Sequence, residues 1–254
     1  MIDPSAKIDP KASVAKDVKI GAYSVIGPDV SIDSGCEIGP HVVIQGPTSI
    51  GKDNKFFQFA SIGADPQDKK YQGAPSKLSI GDRNTFRECT TINRGTFEED
   101  VTQIGSDNLF MAYVHIAHDC IIGNHIVLVN SATIAGHVEI GDYAIISAFC
   151  AVHQFCKIGQ RSFISHASLI AKDVPPYVMI TGGSSPSACG LNAEGLRRAG
   201  YDKTQLDRLK EAYKILYRRG YLLKDAIAEL QALEHPDVAL MVEFLKGSKR
   251  GIVR

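Results

Sequence analysis

Large apolar residues recur at every sixth position through most of the chain. The series begins at Ile2, runs to Ile62, and resumes in the same register between Ile80 and Ile170. A compact residue fills the slot four places after many of these positions, and glycine often follows the large residue directly. Within the series the positions that are not large and apolar are Asp68, Ala74 and Glu98.

A longer repeat of eighteen residues is superimposed on the six-residue period. It is visible in the glycines Gly105, Gly123, Gly141 and Gly159. Eighteen residues are three hexads, so the pattern predicts three short strands per coil of a parallel β-helix. Coils would lie about 4.8 Å apart, each stacking its large residues on those of the next coil. Such a fold gains its stability from neighbouring coils, and each buried Ile contributes about 1.5–3 kcal/mol.

Two segments interrupt the period, and a third region replaces it. Residues 64–79 and 96–103 are polar or turn-rich and are predicted to be loops that carry function. After Ile170, turn-forming residues up to Pro186 predict a linker, and the apolar spacing beyond it becomes helical. We therefore predict a β-helix over 1–186 and a small helical domain over 187–254.

Composition narrows the classes of function. The chain has 28 basic and 28 acidic residues, and this zero formal charge argues against a nucleic-acid-binding protein. No apolar run approaches the roughly 20 residues that a membrane span needs. The polar N-terminus has no signal-peptide pattern, so a cytoplasmic protein without a membrane span is expected.

The cysteines are interpreted as packing residues. Four of them occupy the compact inward slots of the repeat: Cys36, Cys120, Cys150 and Cys156. Buried reduced thiols behave as small hydrophobic groups, and disulfides are not expected in an intracellular chain. This interpretation removes Cys120 as a nucleophile, although it follows a histidine and a carboxylate.

The candidate chemistry lies on the outer turn after Ile116. His118 and Asp119 occupy this turn, and His137 and His153 occupy the next two coils on the same face. A histidine near its ordinary pKa of about 6.5 can take the proton from a hydroxyl that attacks an acyl group. A neighbouring carboxylate can fix its tautomer. The alternatives are a surface histidine at 118 and a simple turn residue at 119.

Several motifs together resemble one enzyme family, the acyl-carrier-protein-dependent UDP-N-acetylglucosamine O-acyltransferases of the hexapeptide-repeat superfamily. They are His115-Ile116-Ala117-His118-Asp119-Cys120, Ala135-Gly136-His137, Val152-His153-Gln154-Phe155, Asp173-Val174-Pro175-Pro176-Tyr177 and Gly190-Leu191-Asn192-Ala193-Glu194-Gly195-Leu196. The resemblance implies a left-handed β-helix, where the general crossover rule would give a right-handed one. It also implies a homotrimer with sites between subunits.

The same resemblance implies a reaction. A 3-hydroxyacyl chain would pass from acyl carrier protein to the 3-hydroxyl of UDP-N-acetylglucosamine, the first step of lipid A biosynthesis. His118 would be the general base, supported by Asp119, and the Gly136 N–H would stabilise the oxyanion. No cofactor is implied beyond the 4′-phosphopantetheine carried by the acyl carrier protein, and no metal motif is present.

The resemblance assigns further residues to the substrates. Asp68 and Lys70 would bind the sugar and the acyl-bearing arm, and His166 would act as the ruler for acyl-chain length. The remaining substrate-binding residues that the resemblance implies are His115, His137, His153, Gln154, Asn192, Glu194 and Arg198. Candidates for a basic docking patch for the carrier are Arg197, Arg198, Lys246, Lys249, Arg250 and Arg254.

Two departures from the family pattern leave alternatives open. Asn93 stands where related enzymes often have His, and Ala199 replaces a second Arg, which puts the nucleotide contacts in doubt. A 3-amino sugar is therefore an alternative acceptor. A zinc-dependent hydratase using His118, His137 and His153, or a non-catalytic scaffold, are alternatives from other classes. The lipid A N-acyltransferase is disfavoured because the repeat begins at Ile2.

Overall fold

The structure, a computed structural model, describes residues 1–254. It contains many very short strands followed by four helices. In chain order the strands are β1 (Lys7–Ile8), β2 (Ser13–Val14), β3 (Lys19–Ile20), β4 (Val25–Ile26), β5 (Val30–Ile32), β6 (Glu37–Ile38), β7 (Val43–Ile44), β8 (Thr48–Ile50), β9 (Lys55–Phe56), β10 (Ser61–Ala64), β11 (Lys77–Ile80), β12 (Thr85–Phe86), β13 (Thr91–Asn93), β14 (Val101–Ile104), β15 (Leu109–Phe110), β16 (His115–Ile116), β17 (Ile121–Ile122), β18 (Val127–Leu128), β19 (Thr133–Ile134), β20 (Glu139–Ile140), β21 (Ile145–Ile146), β22 (Ala151–Val152), β23 (Lys157–Ile158), β24 (Phe163–Ile164), β25 (Leu169–Ile170), β26 (Val178–Thr181) and β27 (Ser187–Leu191). The helices are α1 (Ala193–Arg198), α2 (Lys203–Tyr217), α3 (Leu223–Gln231) and α4 (Pro236–Gly247).

Successive strands pass to successive sheets, so the chain winds into a parallel β-helix with three sheets. Sheet 1 has nine strands from β1 to β25, sheet 2 has eight from β2 to β23, and sheet 3 has ten from β3 to β27. Ile116 pairs with Ile134, and Ile134 with Val152, which is the predicted eighteen-residue register. The three sheets meet at three corners: the first joins sheet 1 to sheet 2, the second joins sheet 2 to sheet 3, and the third joins sheet 3 to sheet 1.

The repeat positions form the core. One cluster of 42 buried residues fills the β-helix, and a second cluster of 14 holds the helices together and against it. Inside the β-helix, the Phe56 and Phe86 rings stack with centroids 4.5 Å apart. The four cysteines of the compact slots are buried in the first cluster, as predicted. The six-residue period is therefore the spacing of inward-facing side chains.

The boundaries of the irregular segments differ from the sequence prediction. Strands β10 and β11 extend into the first predicted loop, which leaves residues 65–76 outside the strands, and the second loop shortens to 94–100. Strand β27 pairs antiparallel with β26, so the region from 187 opens with a strand and its helices begin at Ala193. The extra pairing arises because backbone groups at the edge of sheet 3 gain partners.

None of the four helices combines the length and the apolar character that crossing a bilayer requires.

Candidate active site

His118 lies at the first corner, on the turn between β16 and β17. It is outside the core, as the period predicts, but only 8% of the residue is exposed. Two loops cover it, since Asp68 reaches it from residues 65–76 and Thr96 from residues 94–100. Side chains from two segments that are distant in sequence therefore enclose the imidazole on its outer turn.

The turn brings His118 and Asp119 together. Asp119 has a left-handed backbone (φ 61°), which lets neighbouring side chains meet, and its Oδ2 lies 2.7 Å from His118 Nδ1. The Thr96 hydroxyl donates to the same oxygen over 2.7 Å, and the Thr96 N–H donates to Asp119 Oδ1 over 3.0 Å. Burial acts to raise the pKa of Asp119, but the hydrogen bonds with His118 and Thr96 outweigh it and lower that pKa. The carboxylate is therefore charged at neutral pH.

The other ring nitrogen of His118, Nε2, faces the first loop and lies 3.8 Å from Asp68 Oδ2. Gly136 is the residue above the ring on the next coil, where a Cβ would lie 2.5 Å from Cε1 of His118. The Gly136 N–H donates no hydrogen bond within the chain and remains available to a ligand. Glycine at 136 thus makes room for the base and supplies a free donor.

Two further histidines surround the pair. His115 Nδ1 lies 2.7 Å from the Thr91 hydroxyl, and burial, with a smaller electrostatic contribution from His118, lowers the pKa of His115. The His137 ring meets His118 edge to face at 5.3 Å and stacks on Phe155 at 4.6 Å. His115 is therefore neutral at pH 7 and suited to hydrogen bonding rather than to carrying charge.

His153 stands apart from the other two histidines of the corner. It is exposed with Gln154, and its Nδ1 lies 3.3 Å from a nitrogen of Arg250. The atoms close enough to hold a metal ion belong to His118, Asp119 and His137, within 4.8 Å of one another. The predicted zinc ligand His153 is therefore wrong, because His153 is too far from the other two histidines. It lies one place after Val152, whereas His118 lies two places after the equivalent Ile116.

The loop that carries Asp68 is fixed by two buried residues. Asn93 donates to the Asp65 carbonyl over 2.8 Å, and Arg94 donates to the Gly63 carbonyl, to the Asp65 carboxylate and to the Tyr71 hydroxyl. Within the loop, the Lys70 N–H donates to Asp68 Oδ1 over 2.9 Å, while the Lys70 side chain is exposed. The side-chain amide of Asn93 thus contacts the loop. Sequence reasoning missed Arg94 and Thr96, which carry no periodic signal.

The remaining predicted substrate residues lie at the other corners. Asn192 donates to the Arg161 carbonyl over 2.9 Å at the second corner, where Glu194 pairs with Arg198 at 3.0 Å. A groove there is lined by Tyr143, Arg161, Asn192, Arg198 and Ala199, among others. His166 is exposed at the third corner, between β24 and β25. One chain therefore does not bring these residues to His118.

Burial decides the role of the cysteine beside the pair. Cys120 is fully buried and donates to the Ala135 carbonyl, and burial raises its pKa to about 12. A thiol that stays protonated inside the coil cannot attack an acyl group. The predicted exclusion of Cys120 is confirmed.

Parts of the proposed basic patch already have partners. Arg197 and Arg198 both pair with Glu194, and Arg250 reaches His153 and the Ala171 carbonyl. Arg250 therefore lies at the edge of the first corner, whereas Arg197 and Arg198 lie at the second.

The fold and its repeats place the chain in the class of bacterial hexapeptide transferases. The family model described as bacterial transferase hexapeptide (six repeats) matches residues 11–46 and 102–136. A second model, UDP-N-acetylglucosamine O-acyltransferase domain 2, matches residues 173–253. The first model thus matches two parts of the β-helix, and the second matches the end of the β-helix and the helical region.

Relatives along the whole chain identify the family. The acyl-[acyl-carrier-protein]--UDP-N-acetylglucosamine O-acyltransferases of Thiobacillus denitrificans and Herminiimonas arsenicoxydans are 51% and 49% identical, over 100% of this chain and 99% of theirs. The Francisella novicida UDP-N-acetylglucosamine acyltransferase structure is 45% identical with a TM-score of 0.97, covering 100% of this chain and 94% of that one. The Moraxella catarrhalis O-acyltransferase structure is 44% identical with a TM-score of 0.96, covering 100% and 99%. The chain belongs to the UDP-N-acetylglucosamine O-acyltransferase family.

The comparisons confirm the predicted fold class and enzyme class. The left-handed parallel β-helix followed by a small helical region is the architecture of this chain, and the protein is an acyltransferase.

Proposed function

We propose that this protein transfers a 3-hydroxyacyl chain from acyl carrier protein to the 3-hydroxyl of UDP-N-acetylglucosamine, as the first step of lipid A biosynthesis. Family membership supports the reaction in outline, since the curated relatives carry its name. The observation that carries the mechanism is the buried His118–Asp119 pair, in which Nδ1 contacts the carboxylate and Nε2 faces Asp68. A cytoplasmic location fits these substrates.

In this mechanism His118 Nε2 takes the proton from the sugar hydroxyl as its oxygen attacks the thioester carbonyl. Asp119 stabilises the imidazolium that forms, and the free Gly136 N–H donates to the oxyanion. The tetrahedral intermediate collapses, the C–S bond breaks, and the 4′-phosphopantetheine thiol leaves with a proton from His118. No acyl-enzyme is required, which agrees with the inert state of Cys120.

Asp68 and Lys70 would hold the sugar and the acyl-bearing arm from the loop above the base. Asp68 faces His118, and the exposed Lys70 side chain is free to reach a ligand. The proposed substrate groove would continue along the first corner, lined by His115, His137, His153 and Gln154. The carrier would dock on basic residues around this groove, among them Arg250, which contacts His153 at the corner.

A homotrimer would complete the site, and the outer faces of the three sheets support it. The outer face of sheet 2 carries mainly polar and charged residues. The outer face of sheet 1 is uncharged after Lys7, and the outer face of the later strands of sheet 3 is apolar. Exposed Tyr23, Phe59, Tyr113 and Phe149 lie along the third corner, where these two sheets meet. Such surfaces are expected to be covered in an oligomer.

Packing sheet 1 of one subunit against sheet 3 of the next brings two different corners together. The outer edge of sheet 1 is the first corner, with His118, and the outer edge of sheet 3 is the second corner, with Asn192, Glu194 and Arg198. The site would then draw its base from one chain and its nucleotide and pantetheine contacts from the other. This arrangement accounts for predicted residues that a single chain keeps apart.

An acyl-transfer assay of His118→Ala tests the proposal. We expect a loss of kcat of at least about 100-fold, with binding of UDP-N-acetylglucosamine by calorimetry largely retained. His235→Ala is the matched control, since His235 lies in the helical region, where its Nδ1 is 3.7 Å from Asp237 Oδ2. Transfer at the wild-type rate by His118→Ala would contradict the role of His118 as the general base.

The acceptor and the chain length are tested in the same assay. Offering 3-hydroxy and 3-amino UDP-sugars decides whether the Asn93 departure changes the acceptor atom. Offering carriers with several chain lengths tests His166, which we propose shortens a channel running from the first corner between subunits. If His166→Gly keeps the preferred length, the ruler hypothesis is wrong.

A further inference from the structure

Thr96 makes three contacts with the His118–Asp119 pair, although it lies on another coil. It is 1% exposed. Its N–H donates to Asp119 Oδ1 over 3.0 Å, and its hydroxyl oxygen lies 2.7 Å from Asp119 Oδ2 and 2.9 Å from His118 Nδ1. Both oxygens of the carboxylate are thus held by one residue, in addition to the contact with the imidazole.

The three atoms His118 Nδ1, Asp119 Oδ2 and Thr96 Oγ1 lie within hydrogen-bond distance of one another. Only two protons are available for these contacts, one on the hydroxyl and one on the imidazole. A charged carboxylate oxygen accepts hydrogen bonds and cannot donate them. The most favourable arrangement therefore has both the Thr96 hydroxyl and the His118 Nδ1–H donating to Asp119 Oδ2. If the hydroxyl instead donated to a bare Nδ1, Asp119 Oδ2 would lose both hydrogen bonds while buried.

Thr96 occupies this place because of the second loop. Ile92 pairs with Ile116, twenty-four positions later instead of eighteen, so this coil has one extra hexad of chain. The extra residues leave the sheet after Asn93 and pass over His118 before β14 begins. A regular coil would end in an ordinary turn at this point and would leave Asp119 with the imidazole as its main partner.

We infer that Thr96 is a positioning residue for the transfer, which fixes the Asp119 carboxylate and thereby holds His118 in the tautomer with a proton on Nδ1 and a free Nε2. The inference rests on the proposed function, because a free Nε2 matters when His118 acts as the base. It also gives the second loop a role in catalysis besides covering the site.

The test uses the full-length protein with Thr96→Val and Thr96→Ser. Valine keeps the shape and loses the hydroxyl, so kcat should fall roughly 10- to 100-fold with KM for UDP-N-acetylglucosamine changed less than about twofold. Serine keeps the hydroxyl and should restore most of the rate. Thr90→Val is the matched control, because Thr90 is equally buried but donates to the Arg87 carbonyl at the third corner.

Nitrogen-15 NMR of the histidine side chains supplies a readout that a structural role would not change. The His118 signals, assigned by their loss in His118→Ala, should report a proton on Nδ1 in the wild type and a mixture of tautomers in Thr96→Val. A wild-type proton on Nε2 would overturn the inference even if the valine variant failed to fold. So would an unchanged kcat in Thr96→Val, or an equal fall in Thr90→Val. An inactive wild type would instead refute the proposed function.

Discussion

At the scale of single residues, the chemistry of the first corner depends on which side chains one turn brings together. Adjacent residues in a strand point to opposite sides, but the left-handed backbone at Asp119 turns its carboxylate onto the imidazole of His118. The same turn on the next coil places Gly136 against the ring. The repeat thus supplies both the base and the space that the base occupies.

Gly136→Ala should impair catalysis without unfolding the protein. The new Cβ would lie 2.5 Å from His118 Cε1, so the ring must move. A displacement of about 1 Å in a catalytic group can cost 100-fold in rate, and we expect a fall in kcat of that order. Steady-state kinetics measure it. Gly247→Ala, at the open end of α4, should keep wild-type kinetics, and an active Gly136→Ala enzyme would show that the ring has room to spare.

His115 should make the stability of the wild type depend on pH near neutrality. Burial lowers its pKa from 6.5 in the folded protein, so below that pH the unfolded chain binds the extra proton more readily. The free energy of unfolding should therefore decrease as pH falls from 6.5 through the folded pKa, and then level off. His115→Gln cannot titrate and should lose less stability over the same range. Denaturant titrations at several pH values measure both, and parallel curves would contradict the assignment.

At the scale of elements, the sequence repeat predicts the coils of the β-helix but not the course of the two loops. Each side of a coil contributes one short strand with an inward-facing residue. Because every coil repeats the same three-sided cross-section, these residues recur every six positions. The loops over the site have no such period. The contact between Thr96 and Asp119 links residues 23 apart through a segment that matches no repeat, so the sequence predicted that loops exist but not what they cover.

Arg94→Lys should loosen the first loop. Arg94 is 6% exposed and donates to the Gly63 carbonyl, the Asp65 carboxylate and the Tyr71 hydroxyl, and lysine cannot reproduce this forked geometry. Amide exchange in residues 65–76 should become faster, and KM for the nucleotide sugar should rise several-fold because Asp68 is less well held. Arg219→Lys, which alters a pair with Glu211 among the helices, is the control. Unchanged exchange in the loop would mean that Asn93 alone fixes it.

At the scale of the whole molecule, the uncharged outer face of sheet 1 and the apolar later strands of sheet 3 support the proposed homotrimer. The six-residue period predicted a parallel β-helix but does not reveal its handedness. The left hand was predicted from the family resemblance. The eighteen-residue repeat already separates His166 from the corner of His118, but Asn192, Glu194 and Arg198 follow the end of the period, so their corner could not be read from the sequence. In the proposed trimer, the first corner of one subunit would form the site together with the second corner of its neighbour.

Co-expression of two inactive variants tests this account most directly. One chain carries His118→Ala and the other Arg198→Ala, so each homotrimer lacks one half of every site. Random mixing should restore roughly a quarter of the wild-type acyl-transfer activity, since each mixed trimer has one junction where both residues are intact. Activity no greater than the sum of the two separate variants would contradict a site shared between subunits.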